Sequence, residues 1–228
     1  MMVTDRYYVE TLAAERLRKC YEIAPPRVRQ YLQAEIEYTL SGLKGTDEVL
    51  ELGCGYGRVL AFVAAAVRGT FGIDNSMSSL LMARAETREH KNCHLACMDA
   101  IRLGFGDDTF DRVICIQNGI SAFHVDQRCL VAEALRVVRP GGAVVFSTYS
   151  AEFWEDRLDW FERQAKVGLV GEIDYERSGD GRIVCRDGFT ATTVSPEEFT
   201  NIARDLDVRM RLLEVDNSSL FCEMIPEI

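Results

Sequence analysis

Short apolar runs closed by glycine or an acidic residue alternate with amphipathic stretches through the middle of the chain, a pattern that predicts strands and helices alternating around a parallel sheet. The first run is Val49-Leu50-Glu51-Leu52. It leads through a glycine turn into residues 59–67, an apolar stretch about half as long as a bilayer span and therefore expected to be a buried helix on the sheet. Further strands are predicted at 69–74, at 110–119 and at the end of 135–146, where Pro140 should stop a helix and Gly141 and Gly142 should permit the turn.

Ahead of this core, from Asp5 to about Leu40, the pattern is helical: Leu12, Leu17, Val28, Leu32 and Ile36 recur at roughly helical spacing, with a break at Pro25-Pro26. Behind it the spacing predicts a helix over 153–164 and strands over 170–176, 182–186 and 189–194, separated by Gly179-Asp180-Gly181 and Asp187-Gly188 turns. Ser195-Pro196-Glu197-Glu198 carries the signature of a helix start, and 208–215 with 220–225 reads as a terminal hairpin. The 228 residues suit one domain. It divides into a helical cover (1–46), a ligand-binding core (47–150), an insertion that should form a substrate lid (151–194) and a segment completing the sheet (195–228).

Gly53, Gly55 and Gly57 follow the first strand at alternate positions, which lets a ligand sit against bare backbone. Arg58 falls where the third glycine of a dinucleotide fingerprint would stand, which weakens a pyrophosphate reading. Glu51, just before the loop, would repel a phosphate but could receive an ammonium group or hold a bound water. Together these point to a nucleoside-containing cofactor other than a dinucleotide.

Glu51-Leu52-Gly53-Cys54-Gly55-Tyr56-Gly57 resembles the first motif of the class I S-adenosylmethionine-dependent methyltransferases. Gly69-Thr70-Phe71-Gly72-Ile73-Asp74-Asn75-Ser76 is similar to the family's second strand, whose terminal acid binds both ribose hydroxyls. Cys97-Met98-Asp99-Ala100 resembles the segment whose acid meets the adenine amino group beside an apolar cover. The strand beginning Phe110-Asp111 and the helix, Pro140-Gly141-Gly142 turn and strand after Leu135 follow in the family's order, so the resemblance spans roughly the central half of the chain. It implies an α/β Rossmann-like three-layer sandwich, with a seven-stranded mostly parallel sheet and an antiparallel C-terminal strand. It also implies S-adenosyl-L-methionine as cofactor, leaving as S-adenosyl-L-homocysteine. The implied cofactor residues are Glu51, Gly53, Cys54, Gly55 and Gly57 in the loop, Asp74 and Asn75 for the ribose, Met98, Asp99 and Ala100 for the adenine, and Gln117. Tyr21 resembles a tyrosine often found over the methionine end; it reads equally as an aromatic inside the helical packing.

The implied chemistry is in-line transfer of a methyl group to nitrogen, oxygen or sulfur, in which positioning does most of the work. Candidate catalytic groups at the sheet's carboxyl edge are Asn118, His124 and Tyr149, with Ser121 nearby. His124 has the right chemistry for a general base near neutral pH, or flanks the next helix. Asp111, at a strand start, reads as structural.

Charge narrows the acceptor. A net charge of −10 with no lysine- or arginine-rich run argues against nucleic acid and for a small-molecule acceptor. Arg16, Arg18, Lys19, Arg27 and Arg29 are the nearest approach to a basic patch and read as solvated helix faces. A protein or RNA acceptor, or a non-catalytic cofactor-binding regulatory subunit, are the alternatives; an NAD-dependent oxidoreductase is more distant. The eight cysteines read mostly as packing residues, Cys115 and Cys222 in strands and Cys129 in a helix, as expected in a reducing compartment. Cys93, His94 and Cys97 are too few for a structural zinc site, so no metal is expected. The first residues lack the basic and apolar regions of a secretory signal, so the expectation is a cytoplasmic protein, monomeric or homodimeric, without a membrane span.

Overall fold

The structure, a computed structural model, describes Tyr7 and residues 11–226. The first residues, on which the reading of the leader and of the start of the helical cover rests, lie outside the described residues.

Among the described residues, two full helices precede the sheet, α1 (Ala14–Glu22) and α2 (Pro26–Ser41), separated at the Pro25-Pro26 break. Leu12 is buried but precedes α1, so the helical pattern does not extend across residues 11–13. The core then runs β1 (Glu48–Leu52), α3 (Arg58–Ala66), β2 (Gly69–Asp74), α4 (Met77–Glu86), β3 (Cys93–Cys97) and β4 (Phe110–Cys115). It continues through the single turn α5 (Gly119–Ala122), α6 (Gln127–Val137) and β5 (Val138–Tyr149). A 3-10 turn (Ala151–Phe153) and α7 (Trp154–Lys166) open the insertion. The two-residue strands β6 (Ile183–Val184) and β7 (Thr190–Ala191) close it, before α8 (Pro196–Asp205), β8 (Arg209–Val215) and β9 (Ser219–Ile225).

The main sheet has the order β3-β2-β1-β4-β5-β9-β8. The first five strands pair in parallel, whereas β9 is antiparallel to both β5 and β8 and fills the gap between them. Central parallel strands are covered by helices on both faces, which is why β1 reads as an apolar run with Val49, Leu50 and Leu52 all buried. Strand order reverses between β1 and β4, so the loops after these strands flank a crevice at the carboxyl edge. The predicted start of α8 forms as a full capping box: Ser195 Oγ accepts from the Glu198 N–H, and Glu198 accepts from the Ser195 N–H.

Four expectations are corrected. Helix α6 ends at Val137, ahead of Pro140, because Val138 is already extended and paired with Phe110. The register then slips, so Pro140-Gly141-Gly142 forms a bulge inside β5 rather than a turn before it. The three strands expected in the insertion shrink to the β6–β7 ladder and an isolated Ile173–Cys185 bridge. Side-chain packing holds the insertion instead: Val170, Ile173, Ile183 and Phe189 cluster with Leu12, Cys20 and Phe161. Cys129 is exposed on α6, not buried; Cys115 and Cys222 are buried as packing residues.

Candidate active site

At the reversal of strand order, β1 delivers Glu51 and the glycine loop, β2 ends in Asp74, β4 runs into Gln117 and Asn118, and β5 ends in Tyr149. One cavity joins them. Gly53, Gly55 and Gly57 all have positive φ, +70°, +53° and +88°. Gly57 also needs its missing side chain, since a Cβ there would lie 3.0 Å from Ala83 of α4.

Asp74 is fixed by two backbone donors, the Gly55 N–H at 2.9 Å and the Ser76 N–H at 2.8 Å, so the strand end and the loop hold one another. Burial raises its pKa despite those donors. Glu51 is 5% exposed, and its Oε2 has no hydrogen-bond partner among the described residues. Burial pushes its carboxyl up to about 8; Arg58 opposes the shift and Asp74 adds to it.

Sequence reasoning did not assign Arg58 a role. Its guanidinium lies 4.8 Å from the centroid of the Tyr21 ring, and its Nε and one terminal nitrogen are buried without a hydrogen-bond partner. The available signal was its position, the first helical residue after the glycine loop. Tyr21 itself lines the cavity, in contact with Tyr56 and Trp160 at 5.9 Å between ring centroids. Beyond these rings the cavity is walled by Tyr149, Trp160, Phe161 and Gln164.

The cavity thus brings together Tyr21, Glu51, Gly53, Cys54, Gly55, Asp74, Asn75, Gln117, Asn118 and Tyr149. Five expected residues fall outside its lining. Gly57 acts from behind, shaping the turn. Met98 packs against the core, its sulfur accepting from the Gly104 N–H. Asp99 is exposed and caps the Ile101 N–H at 3.1 Å, and Ala100 is buried in the core. His124 also stands outside the lining, with φ +50°, although Ala122 and Phe123 beside it face the cavity. Asn118 faces it but has both ends of its amide engaged. It donates to Thr192 O at 2.8 Å and accepts from Thr148 Oγ1 at 2.8 Å, tying the end of β4 to the insertion.

Four of the five residues nearest to a basic patch are engaged: Arg16 donates to Gly168 O and Leu169 O, Arg18 and Lys19 meet Glu22, and Arg27 meets Asp216. Asp111 is structural, accepting from the Glu48 N–H and pairing with Arg139.

Residues 49–142 match the family described as Methyltransferase domain. Over these residues the core is thus similar in sequence to methyltransferase domains. Among sequence relatives, malonyl-[acyl-carrier protein] O-methyltransferase of Marinomonas sp. is 34% identical over 47% of this chain and 40% of its own length. Arsenite methyltransferase of Aquipseudomonas alcaligenes is 29% identical over 77% of this chain and 57% of its own. The chain spans 37–52% of the first curated relatives it matches. In fold, the chain is similar to a SAM-dependent methyltransferase from Aquifex aeolicus, at a TM-score of 0.63 and 17% identity over 91% of this chain and 96% of that one.

The cofactor that this similarity implies is S-adenosylmethionine, and the residues lining the cavity fit it. A zwitterion with a ribose needs an acceptor for an ammonium, a donor for a carboxylate and an acceptor for two hydroxyls. The unpartnered Glu51 oxygen, the unpartnered Arg58 nitrogens and the Asp74 carboxylate offer these in turn. Among the described residues, no helix is long and apolar enough to cross a membrane.

Proposed function

We propose that the protein transfers the methyl group of S-adenosylmethionine to a nucleophilic nitrogen, oxygen or sulfur of a small-molecule acceptor. The observation that carries this reading is that Glu51 Oε2 and two nitrogens of the Arg58 guanidinium are buried beside a glycine loop with no hydrogen-bond partner among the described residues. In this reading Glu51 receives the cofactor's ammonium, Arg58 its carboxylate and Asp74 its ribose, while Gly53 and Gly55 let it approach the backbone. Cys54, Asn75 and Gln117 contact it along the cavity, and Met98, Asp99 and Ala100 are left with the adenine by resemblance alone.

The bound cofactor supplies an activated methyl, so the chain's own residues need only align the acceptor, exclude water and remove a proton. Tyr21, Trp160 and Phe161 form the water-excluding wall. Tyr149 and Gln164 are the polar groups of the wall they share with Trp160 and Phe161, and Tyr149 is the one that meets the acceptor in this reading. Residues 151–194 act as the lid that sets specificity.

A small acceptor fits the net charge of −10 and the engagement of Arg16, Arg18, Lys19 and Arg27, which leaves little to neutralise a phosphate backbone. The test is to incubate the purified protein with methyl-labelled cofactor and cell extract split into small-molecule and macromolecular fractions. Label should enter the small-molecule fraction. Label confined to protein or RNA overturns the acceptor class, and label in neither despite cofactor binding favours a regulatory role.

A further inference from the structure

Behind the cavity wall, outside its lining, helix α2 buries two polar side chains one turn apart. Tyr31 and Glu35 are both 0% exposed, on the face that also carries Val28, Leu32 and Ile36. Neither the Tyr31 hydroxyl nor either Glu35 carboxylate oxygen completes a hydrogen bond of normal geometry among the described residues. A buried carboxylate in that condition destabilises a fold, and an apolar residue of the same volume would serve packing better. Its position calls for a functional explanation.

The surroundings supply one. The Tyr31 ring lies 5.4 Å from that of Tyr149, measured between centroids, and Tyr149 faces the cavity. On another side Tyr149 is covered by the Arg157 guanidinium, 4.3 Å from its ring centroid, a charge that favours the phenolate. Glu35 is faced by the hydroxyls of Ser147 on β5 and Ser219 on β9, by the Gln117 N–H and by the Arg58 charge, all of which favour its ionised form. Cys115 on β4 and the phenols of Tyr31 and Tyr149 lie within its electrostatic reach.

We propose that Tyr149, Tyr31 and Glu35 form a relay that carries the acceptor's proton from the cavity to a buried carboxylate as the methyl group is transferred. The inference rests on the methyltransferase reading above. The acceptor atom forms its bond to the methyl carbon, and the methyl–sulfur bond breaks with its electron pair remaining on sulfur. The proton of the acceptor passes to the Tyr149 oxygen, the Tyr149 proton to Tyr31, and the Tyr31 proton to Glu35, which becomes a neutral acid. Return of that proton through Tyr31 and Tyr149 to the cavity, once the product has left, resets the chain. Glu35 touches neither substrate nor cofactor and acts through the tyrosines.

The ordering of basicities fits this direction. Burial raises the Tyr149 phenol to about 12, so it holds its proton at neutral pH and accepts another only if it gives its own away. Burial also raises Glu35, to about 7, so it is ionised in part at neutral pH and able to hold a proton once delivered.

The test is a titration of the protein saturated with S-adenosylhomocysteine and labelled with carbon-13 at the tyrosine ring carbon bearing oxygen, the Tyr149 signal being assigned from Tyr149→Phe. Between about pH 5 and pH 9 that signal should move with a midpoint near neutrality, following Glu35. The movement should vanish in Glu35→Gln and in Tyr31→Phe, both of which should bind S-adenosylhomocysteine like the parent. A Tyr149 signal that ignores pH in this range, or moves identically in Glu35→Gln, overturns the relay. On the acceptor found by extract labelling, turnover in both variants should fall about tenfold or more and lose the rise of rate with pH near neutrality. Unchanged turnover and pH profile overturn it as well. Absence of any labelled acceptor with the coupled titration intact would instead sink the transferase reading while upholding the coupling of Glu35 to Tyr149.

Discussion

The Arg58 guanidinium rests 4.8 Å from the centroid of the Tyr21 ring, joining the first residue after the glycine loop to the N-terminal cover. The cation–π contact holds the guanidinium at the cavity, where its buried nitrogens can meet a carboxylate.

Replacing Arg58 with leucine should weaken S-adenosylhomocysteine binding by roughly 10- to 150-fold, the equivalent of about 1.5–3 kcal/mol for a charged hydrogen-bonding partner. Lysine should restore part of the loss. Calorimetric titration decides it, and an unchanged affinity in the leucine variant would remove Arg58 from the cofactor site.

Glu51 predicts a pH dependence. Its carboxyl is raised to about 8, so the fraction able to receive an ammonium group grows as pH rises toward and through that value. Affinity of the parent protein for S-adenosylhomocysteine should increase between about pH 6 and pH 8. Glu51→Gln should bind more weakly and show a flatter profile. An identical profile in both proteins would show that Glu51 does not face the ammonium.

Asp74→Ala removes the acceptor of the Gly55 and Ser76 N–H groups. Cofactor affinity should drop by at least tenfold, with loss of about 1–3 kcal/mol of stability from the two stranded donors. Asn at this position should recover less affinity than stability, because one amide oxygen cannot replace two carboxylate oxygens. Equal recovery of both would confine Asp74 to the turn.

Stability of the unliganded protein should fall as pH rises from about 5 to about 8. Glu35 and Glu51 bind protons more tightly folded than unfolded, both pKa values being raised above 4.5, so the stabilisation is complete at low pH and is lost as pH passes through the folded values near 7 and 8. Glu35→Gln should remove its share, making the variant more stable than the parent at pH 8 by about 3 kcal/mol as an upper bound. Denaturant titrations at the two pH values measure this directly. A parent protein that gains stability with pH would contradict buried, raised carboxyls.

Two glycines separate backbone conformation from crowding. Gly57 and Gly141 both have positive φ, but a Cβ at Gly57 would meet Ala83 at 3.0 Å while nothing lies within 4 Å at Gly141. Alanine at 141 should cost about 1 kcal/mol, and alanine at 57 clearly more, with loss of cofactor affinity besides. Equal effects would mean that α4 yields freely.

The core was legible because its signals are local. Alternate glycines after an apolar run, an acid at the end of the next strand and a capping serine before proline each act within a few residues. The insertion was not, because the apolar residues of 170–194 that suggested strands are buried in a side-chain cluster instead of a ladder. His124 was singled out for its chemistry, yet the chain turns at positive φ just there and His124 falls outside the cavity lining. Glu35 went unnoticed, although an acid at helical spacing from Val28, Leu32 and Ile36 marks the apolar face of a helix that should not carry one.

Cover and insertion are fastened to one another: the Trp160 indole donates to Cys20 O at 2.8 Å, Arg16 donates to Gly168 O and Leu169 O, and the Tyr7 hydroxyl donates to Asp187. Each is also anchored below, the insertion through Asn118 to Thr192 O and the cover through Arg27 to Asp216, so cover, insertion and sheet edge form one bonded shell around Glu51 and Asp74. Whatever is bound deepest in such a shell would have to arrive first and depart last, and its departure would pace turnover.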